Sequence, residues 1–134
     1  MNDCIFCKIV KGEIPSARVW EDENFVAFLS IKPINPGHTL IIPKKHIDYF
    51  FDLDDETLCA LMKSTKPLAK ALREAFRPAR NKIGVMVSGG EVPHVHVHLI
   101  PMDNEGDLTF ERAKDASFDE IQKNAAKIKA ALQS

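Results

Sequence analysis

The chain has 134 residues and a formal net charge of -1, with 45% hydrophobic and 28% charged side chains. This balance is typical of one globular domain, and the length excludes two full domains. The near-zero charge argues against a general attraction to nucleic acid or to anionic lipid. It leaves a local basic site open.

The termini and the cysteines predict a protein of the reducing cytoplasm. Lys8 and Lys11 interrupt the first apolar residues, so we expect no secretory signal. No run approaches the ~18 apolar residues of a membrane helix, so we expect no membrane association. Three cysteines, Cys4, Cys7 and Cys59, cannot form a closed disulfide framework. In the cytoplasm, Cys-x-x-Cys is typical of a metal half-site or a redox pair.

Hydrophobic periodicity predicts the elements of the first half of the chain. Apolar residues at helical spacing predict a short helix over residues 4 to 10. Runs of β-branched and aromatic residues predict strands at 17 to 20, 25 to 31 and 39 to 42. Polar turns separate these runs, which is typical of an antiparallel meander.

A long helix is predicted next, from about residue 55 to 76, because its leucines recur on one face and Asp54 can cap its first turn. Pro67 lies inside this pattern and should kink the helix or split it in two. Cys59 belongs to the same helix, and we interpret it as an inert buried residue.

Two further strands and one helix complete the prediction. The strands cover residues 82 to 87 and 94 to 100. A polar connection follows at 102 to 116. Ser117 then opens a capping-box pattern, which predicts a terminal helix at about 118 to 132.

Histidine is the most informative residue type. The chain has five, and three of them, His94, His96 and His98, fall within five residues. Alternation along a strand places these imidazoles on one face, with successive residues roughly 6.5 to 7 Å apart. Two chemistries suit such a row. His-x-His can chelate a metal ion, or a neutral imidazole can attack phosphorus while its neighbours orient it.

The stretch His94-Val-His-Val-His-Leu-Ile-Pro resembles the signature of the histidine triad family, in which apolar residues separate three histidines. Two further blocks resemble the same family: CIFCKIVKGEIP at residues 4 to 15, and GHTLIIPKKH at residues 37 to 46. Three ordered blocks make the resemblance far more specific than one short motif.

This resemblance implies one histidine-triad-like domain over residues 1 to 134. Its fold is α+β, with helices packed on an antiparallel meander sheet, a core at about 4 to 101 and a C-terminal extension. Similar proteins are usually homodimers that cleave a bond at the α-phosphate of a nucleotide. We therefore expect a hydrolase for a purine nucleotide conjugate, either a phosphoramidate or a dinucleoside polyphosphate, without an organic cofactor.

The resemblance assigns the chemistry to His96 and His98. His96 matches the nucleophile that forms a nucleotidyl-histidine intermediate, which water then hydrolyses. His98 matches the histidine that contacts the α-phosphate. A useful fraction of imidazole is unprotonated near pH 7, and a covalent intermediate divides one hard displacement into two easier ones. His38, at the start of a strand, is interpreted as a structural histidine.

A structural zinc site is also implied, with Cys4, Cys7, His46 and His94 as the matching residues. Two thiolates and two imidazoles complete a closed tetrahedral shell, so zinc would fasten the N-terminal segment and a loop to the sheet. The alternative is a cysteine pair without metal or with a redox role.

The nucleotide pocket matches the family less completely. Phe6, Ile9, Phe28 and Ile31 match residues that line a slot for the base, although core packing alone also accounts for such residues. Ser30 stands where the family usually places the aspartate that holds the ribose hydroxyls. A serine does not offer two carboxylate oxygens to a diol.

The loop before the triad is shorter than in many family members. Gly90 lies in a glycine pair that either approaches phosphate or only makes a turn. Glu91 takes the place of a hydroxyl residue, and it is either solvated or a proton donor to the leaving group. These departures leave a second hypothesis, a nucleotide-binding or regulatory protein with little turnover.

Overall fold

The computed structural model describes residues 4–133. In chain order, the helices and strands of this range are α1 (Ile5–Val10), β1 (Arg18–Glu21), β2 (Phe25–Leu29), β3 (Thr39–Pro43), α2 (Asp55–Phe76), β4 (Lys82–Met86), β5 (Val97–Met102) and α3 (Phe118–Leu132). Short 3₁₀ helices span Phe50–Asp52, Glu105–Asp107 and Phe110–Arg112.

The five strands form one antiparallel sheet in the order β1-β2-β3-β5-β4. The α+β fold with an antiparallel meander, predicted from the sequence, is confirmed, and β1, β2 and β3 are its consecutive strands. β5 lies between β3 and β4, with His98 opposite Leu40 of β3. The strand that carries His98 is therefore an interior strand of the sheet.

Alternation along the strands divides the core into two layers. Ala27 of β2 packs in the layer formed with α2 and α3, whereas Val26 and Phe28 pack beneath α1. Val97 and Leu99 of β5 belong to the layer of α2 and α3. The side chain between them, His98, therefore faces the layer of α1.

Both predicted helix caps are present. Asp54 accepts a hydrogen bond from the N–H of Thr57 at 2.7 Å, and Ser117 accepts one from the N–H of Glu120 at 3.1 Å. Ile121, Ala125 and Ile128 bury one side of α3 within the same layer as α2. Within residues 4–133, no helix combines the length and the apolar character needed to cross a membrane.

The last strand begins later than the sequence predicts. β5 starts at Val97, so His94 and His96 lie in the irregular segment before it. The N–H of His94 donates to the carbonyl of Val92 at 2.8 Å, and the N–H of Val95 donates to the carbonyl of Ile47 at 2.7 Å. Because these bonds replace ladder bonds, the three imidazoles do not lie on one regular strand.

The long helix is not split at its proline, and its cysteine is exposed. α2 runs from Asp55 to Phe76 through Pro67 without a break, and buried Leu61 and Leu68 anchor it on both sides of the proline. Cys59 is exposed, so the prediction of a buried cysteine is wrong. It lies two residues before Leu61, about 200° around the helix and therefore away from the core.

Candidate active site and metal centre

Four side chains from three parts of the chain meet at one point. The ligand atoms of Cys4, Cys7, His46 and His94 all lie within 4.8 Å of one another. Cys4 Sγ is 3.4 Å from His94 Nδ1, and Cys7 Sγ is 3.2 Å from His46 Nδ1. Tetrahedral zinc with ordinary bond lengths separates sulfur and nitrogen ligands by about 3.6 Å. The donor set and its spacing therefore fit zinc.

The orientation of His94 also fits a metal ligand. Its ring is fully buried, and its Nε2 lies 2.8 Å from the carbonyl oxygen of Pro43, which can only accept a hydrogen bond. Nε2 therefore carries the proton, and the lone pair of Nδ1 faces the two thiol sulfurs. Burial lowers the pKa of His94, which keeps the ring in the neutral form that binds metal. A carbonyl partner of this kind is the usual support of a metal-bound imidazole.

His96 is oriented by the backbone of His94. Its Nδ1 lies 2.7 Å from the carbonyl oxygen of His94, so Nδ1 donates and Nε2 keeps its lone pair. The ring of Phe6 packs edge-on against His96, with 5.0 Å between the ring centroids. His96 is only 4% exposed. The hydrogen bond thus fixes the tautomer of His96, with the lone pair on Nε2, and the ring contact fixes the orientation of the imidazole.

His98 belongs to a chain of hydrogen bonds that assigns its protons. The N–H of Ile34 donates to Nδ1 of His38 at 2.9 Å, so His38 carries its proton on Nε2. That Nε2 lies 2.9 Å from Nδ1 of His98 and donates to it. His98 therefore carries its own proton on Nε2. His38 is more than the structural residue that the sequence suggests, because it determines the tautomer of His98.

The Nε2 atom of His98 is buried, and no hydrogen-bond partner lies within the described residues. Leaving a buried donor unpaired costs about 1–3 kcal/mol. The cost is recovered when an anionic oxygen accepts this N–H. His96 and His98 pack against each other at 5.0 Å between ring centroids, so the lone pair of His96 and the N–H of His98 belong to neighbouring side chains.

A cavity of about 330 Å³ opens in front of these two imidazoles. We name it the histidine cavity, after His38, His96 and His98 in its lining. Its apolar end is formed by α1 and the end of β2, and the rings of Phe6 and Phe28 meet edge-on at 5.7 Å. All the residues predicted from the sequence to bind nucleotide line it except Gly90; they are Phe6, Ile9, Phe28, Ser30, Ile31 and Glu91. Gly90 is exposed next to Glu91.

Residues 102 to 116 also contribute to this cavity, which the sequence did not predict. The buried carboxylate of Asp107 accepts hydrogen bonds from the N–H groups of Asp103 and Asn104 and from the amide of Asn35. These bonds, led by that of Asn104, hold the pKa of Asp107 at about 2. The segment is thereby fixed, and Phe110 packs on His98 at 5.0 Å. In the sequence, the one sign of this ordered segment is the carboxylate of Asp107 at the end of the polar run 103 to 107.

A family model described as the HIT domain matches residues 11–105. The chain belongs to the HIT, or histidine triad, family. The HIT match includes all five histidines and starts after Cys4 and Cys7, so the cysteine pair lies outside the matched segment.

HIT relatives are similar along nearly the whole chain. An uncharacterised HIT-like protein of Methanocaldococcus jannaschii is 42% identical over 124 residues, covering 90% of this chain and 96% of that protein. Adenosine 5′-monophosphoramidase HNT1 of Saccharomyces cerevisiae is 40% identical over 133 residues, covering 97% and 83%. A zinc-bound histidine triad family protein of Mycobacterium smegmatis has a TM-score of 0.83 at 33% identity, covering 98% and 94%.

The buried histidine chain of this HIT fold predicts a pH-dependent stability. Burial lowers the pKa of His38 to about 4 and, together with the charges of His38 and His96, that of His98 to about 3. Both are near 6.5 in an unfolded chain. Between about pH 4 and 6.5 the unfolded state binds more protons. Stability from these residues is therefore full above pH 6.5 and is lost as the pH falls.

We expect His38→Gln to lose less free energy of unfolding between pH 7 and pH 5 than the wild type does. The maximum difference is roughly 1.4 kcal/mol per pH unit for the removed histidine. Urea unfolding of both proteins at both pH values, at equal zinc, measures the combined effect of removing His38 and of changing the surroundings of His98, while the contributions of residues that do not contact His38 cancel. Identical pH dependence in the two proteins contradicts the burial of a neutral His38.

Proposed function

We propose that this protein hydrolyses nucleoside monophosphate conjugates through a nucleotidyl group carried transiently on His96. The observation that carries the proposal is the lone pair of His96 Nε2, freed by the hydrogen bond from Nδ1 to the His94 carbonyl, next to the unpaired N–H of His98. The name of the yeast relative, adenosine 5′-monophosphoramidase, supports a nucleotide substrate and hydrolysis.

The histidine cavity suits a purine nucleoside at its apolar end. A volume of about 330 Å³ lies at the lower end of small-molecule pockets. Phe6, Ile9 and Phe28 offer aromatic and aliphatic surface to a flat base. Ser30 accepts a hydrogen bond from the N–H of Lys32 at 3.2 Å, so its hydroxyl meets the ribose as a single weak partner.

Two displacements at phosphorus complete the reaction. The lone pair of His96 Nε2 attacks phosphorus, and the bond from phosphorus to the leaving group breaks. Its electron pair stays on the leaving group, which takes a proton from solvent. Water then attacks the same phosphorus, and the bond to Nε2 breaks with its electron pair returning to the imidazole. The attacking water loses a proton to solvent, and the nucleoside monophosphate is released.

His98 and the backbone stabilise the charges that appear during these steps. The N–H of His98 Nε2 donates to a phosphoryl oxygen, because its tautomer presents a donor to the cavity. The His94 carbonyl accepts from His96 Nδ1, so that bond strengthens when the ring becomes positive. Neither role needs a metal at the phosphate.

The proposal includes a structural zinc ion held by Cys4, Cys7, His46 and His94. Bound zinc supplies a cross-link between α1, the loop after β3 and the segment before β5. The zinc-bound relative of Mycobacterium smegmatis supports this. A reducing cytoplasm is the compartment that keeps both cysteines available as thiolates.

The proposal also includes a homodimer formed through β4. The two edges of the sheet differ in chemistry. At the β1 edge, Glu21 pairs with Arg18 at 2.9 Å and with Lys44 at 2.6 Å, and such charges oppose strand addition. At the β4 edge, Val85 is 48% exposed. A second copy can extend the sheet at this apolar edge and cover that residue.

The covalent intermediate is tested by His96→Ala. We expect hydrolysis of adenosine phosphoramidate to fall by about 10³-fold or more, while the circular dichroism spectrum stays that of the wild type. Intact-mass spectrometry of acid-quenched wild-type protein should show one added nucleotidyl group, absent in the variant. Wild-type turnover by His96→Ala overturns the mechanism. Tight nucleotide binding without turnover by the wild type supports the regulatory alternative.

The zinc site is tested by Cys4→Ser, with Cys59→Ser as the matched control because Cys59 is exposed and outside the cluster. Elemental analysis of untagged wild type and of the control should find about one zinc per chain. Cys4→Ser should lose it, with Tm lower by about 5 °C or more. Zinc far below one per chain in the wild type contradicts the assignment.

The dimer is tested by Val85→Lys, which places a charge at the proposed interface. Sedimentation should show two chains for the wild type and one for the variant. Phe118→Lys is the control, since Phe118 is an exposed apolar residue, 72% accessible, on α3. A wild type that sediments at the mass of one chain, 15.0 kDa, contradicts the dimer.

A further inference from the structure

The charge of the chain is distributed unevenly along the sequence. Residues 63 to 82 hold seven of the 18 lysines and arginines but only one, Glu74, of the 19 aspartates and glutamates. This segment therefore carries a charge of +6, and the 11 positive and 18 negative side chains elsewhere give −7. At physiological ionic strength charges act over about 8 Å, so a ligand that contacts this segment meets its local positive charge.

Five of these cations form a row along α2 and its C-cap. We name this row the basic stripe, and its residues, all exposed, are Lys63, Lys66, Lys70, Arg73 and Arg77. Their spacing alternates between three and four residues, so the four within the helix fall inside about 80° of its circumference. Buried Leu61, Leu68 and Leu72 occupy the opposite side of α2. The stripe therefore lies on the side of the helix that is turned away from the sheet.

The stripe ends at an open concavity of about 400 Å³. Its lining consists of Arg73, Glu74, Arg77, Pro78 and Asn81. Hydrogen bonds hold the turn that forms it: the N–H of Ala79 donates to the carboxylate of Asp103 at 2.9 Å, and the N–H of Arg80 donates to the carbonyl of Met102 at 3.0 Å. Two guanidinium groups beside one concavity suit a phosphate group, because each can donate two parallel N–H bonds to it.

Helix stability does not account for the stripe. Cations interact favourably with the helix dipole in the last turn, which includes Arg73 but not Lys63 or Lys66. Neighbouring cations three or four residues apart repel each other and destabilise a helix. In the described range, no carboxylate forms an ion pair with any cation of the stripe. The repulsion is therefore relieved by solvent ions or by an anionic partner.

The length of the stripe corresponds to a row of phosphates. Lys63 and Arg77 are about 21 Å apart along the helix axis, at 1.5 Å per residue. One strand of duplex DNA places a phosphate about every 3.4 Å along its axis, so about six phosphates cover this length. Arg80 and Lys82 are exposed and follow the stripe in the chain. The number of cations is thus close to the number of phosphates that a strand presents.

The surroundings of the stripe favour the backbone of a duplex over other polyanions. Helices that bind a membrane surface insert apolar side chains beside their cations, and sites for single strands stack bases on exposed aromatic rings. Among the residues that the structure describes, the large exposed apolar side chains are Ile5, Ile31, Tyr49, Phe51, Val85, Val87 and Phe118. All of them lie outside residues 55 to 82, so the stripe offers contacts to phosphates and not to bases.

We propose that the basic stripe binds the phosphate backbone of double-stranded nucleic acid, independently of base sequence. Its lysines contact successive phosphates of one strand, and Arg73 and Arg77 hold a further phosphate at the concavity. The stripe belongs to the α2 face of the sheet, whereas the histidine cavity lies on the face of α1. Duplex binding therefore does not depend on the proposed hydrolysis.

The test measures binding to a labelled DNA duplex of about 20 base pairs, and to the RNA duplex of the same sequence, by fluorescence anisotropy between about 50 and 200 mM salt. The logarithm of the association constant falls with the logarithm of the salt concentration by about 0.9 for each phosphate neutralised. With five cations engaged, we expect the wild type to show a slope of about −4.5 on a duplex that it binds.

Two double variants with the same net charge separate the stripe from the rest of the surface. Lys66→Gln with Lys70→Gln removes two cations of the stripe and should change the slope to about −2.7. Lys123→Gln with Lys129→Gln is the matched control, because both lysines are exposed on α3. The control should keep the wild-type slope. We expect the circular dichroism spectrum of both variants to match that of the wild type, since all four side chains are exposed.

Three results overturn the duplex site. The first is a wild type that binds neither duplex at the lowest salt. If that wild type sediments with phosphatidylserine vesicles and the stripe variant does not, the stripe belongs to a membrane surface instead. The second is a wild-type slope in the stripe variant. The third is an equal change of slope in both double variants, which assigns binding to the net charge of the protein.

Discussion

The placement of His94 determines the geometry on which both halves of the site depend. Its side chain turns Nδ1 toward Cys4 and Cys7, because Nε2 is fixed by the carbonyl of Pro43. Its backbone carbonyl accepts the proton of His96 Nδ1 and thereby leaves the Nε2 lone pair available. One residue thus connects the proposed metal centre with the proposed nucleophile. The cysteine segment thus reaches His96 by two routes, through the backbone of His94 and through the ring of Phe6.

The two faces of the sheet carry different tasks. The face beneath α2 and α3 is apolar, and it supplies the larger share of buried surface through residues such as Leu61, Leu99 and Ile128. The opposite face is covered by the short α1 and carries the polar site. Because side chains alternate along β5, one strand serves both faces: Val97 and Leu99 support the core while His98 faces the cavity.

Three buried imidazoles in contact are unfavourable for folding unless each is neutral and paired. His38 meets this condition with a bond at each nitrogen, whereas His98 keeps one N–H without a partner. Protonation of either ring would place a charge in an apolar surrounding, which is why burial lowers the pKa of both. The unpaired N–H of His98 lowers the free energy of unfolding. A ligand oxygen that accepts this N–H recovers that cost, and the gain contributes to the free energy of binding.

The sequence by itself determined the family, the succession of elements and the residues of the two clusters. Local periodicity specifies strands and helices. The motifs around Cys4, His46 and His96 are recognisable from residue spacing in the sequence alone. Asp54 and Ser117 could be assigned as caps for the same reason, since a cap acts on the next turn of its own helix.

Only the tertiary structure decided the partners across long separations. His38 meets His98 over 60 residues because Thr39 of β3 stands opposite Leu99 of β5, a register that no local pattern states. The hydrogen bonds of the buried Asp107 hold its segment so that Phe110 packs on His98. The polar composition of that segment gives no sign of this contact. A further cavity likewise lies between the loop after β3 and the loop after β4, with His96 in its lining. Such contacts depend on how elements pack, and packing is a property of the whole chain.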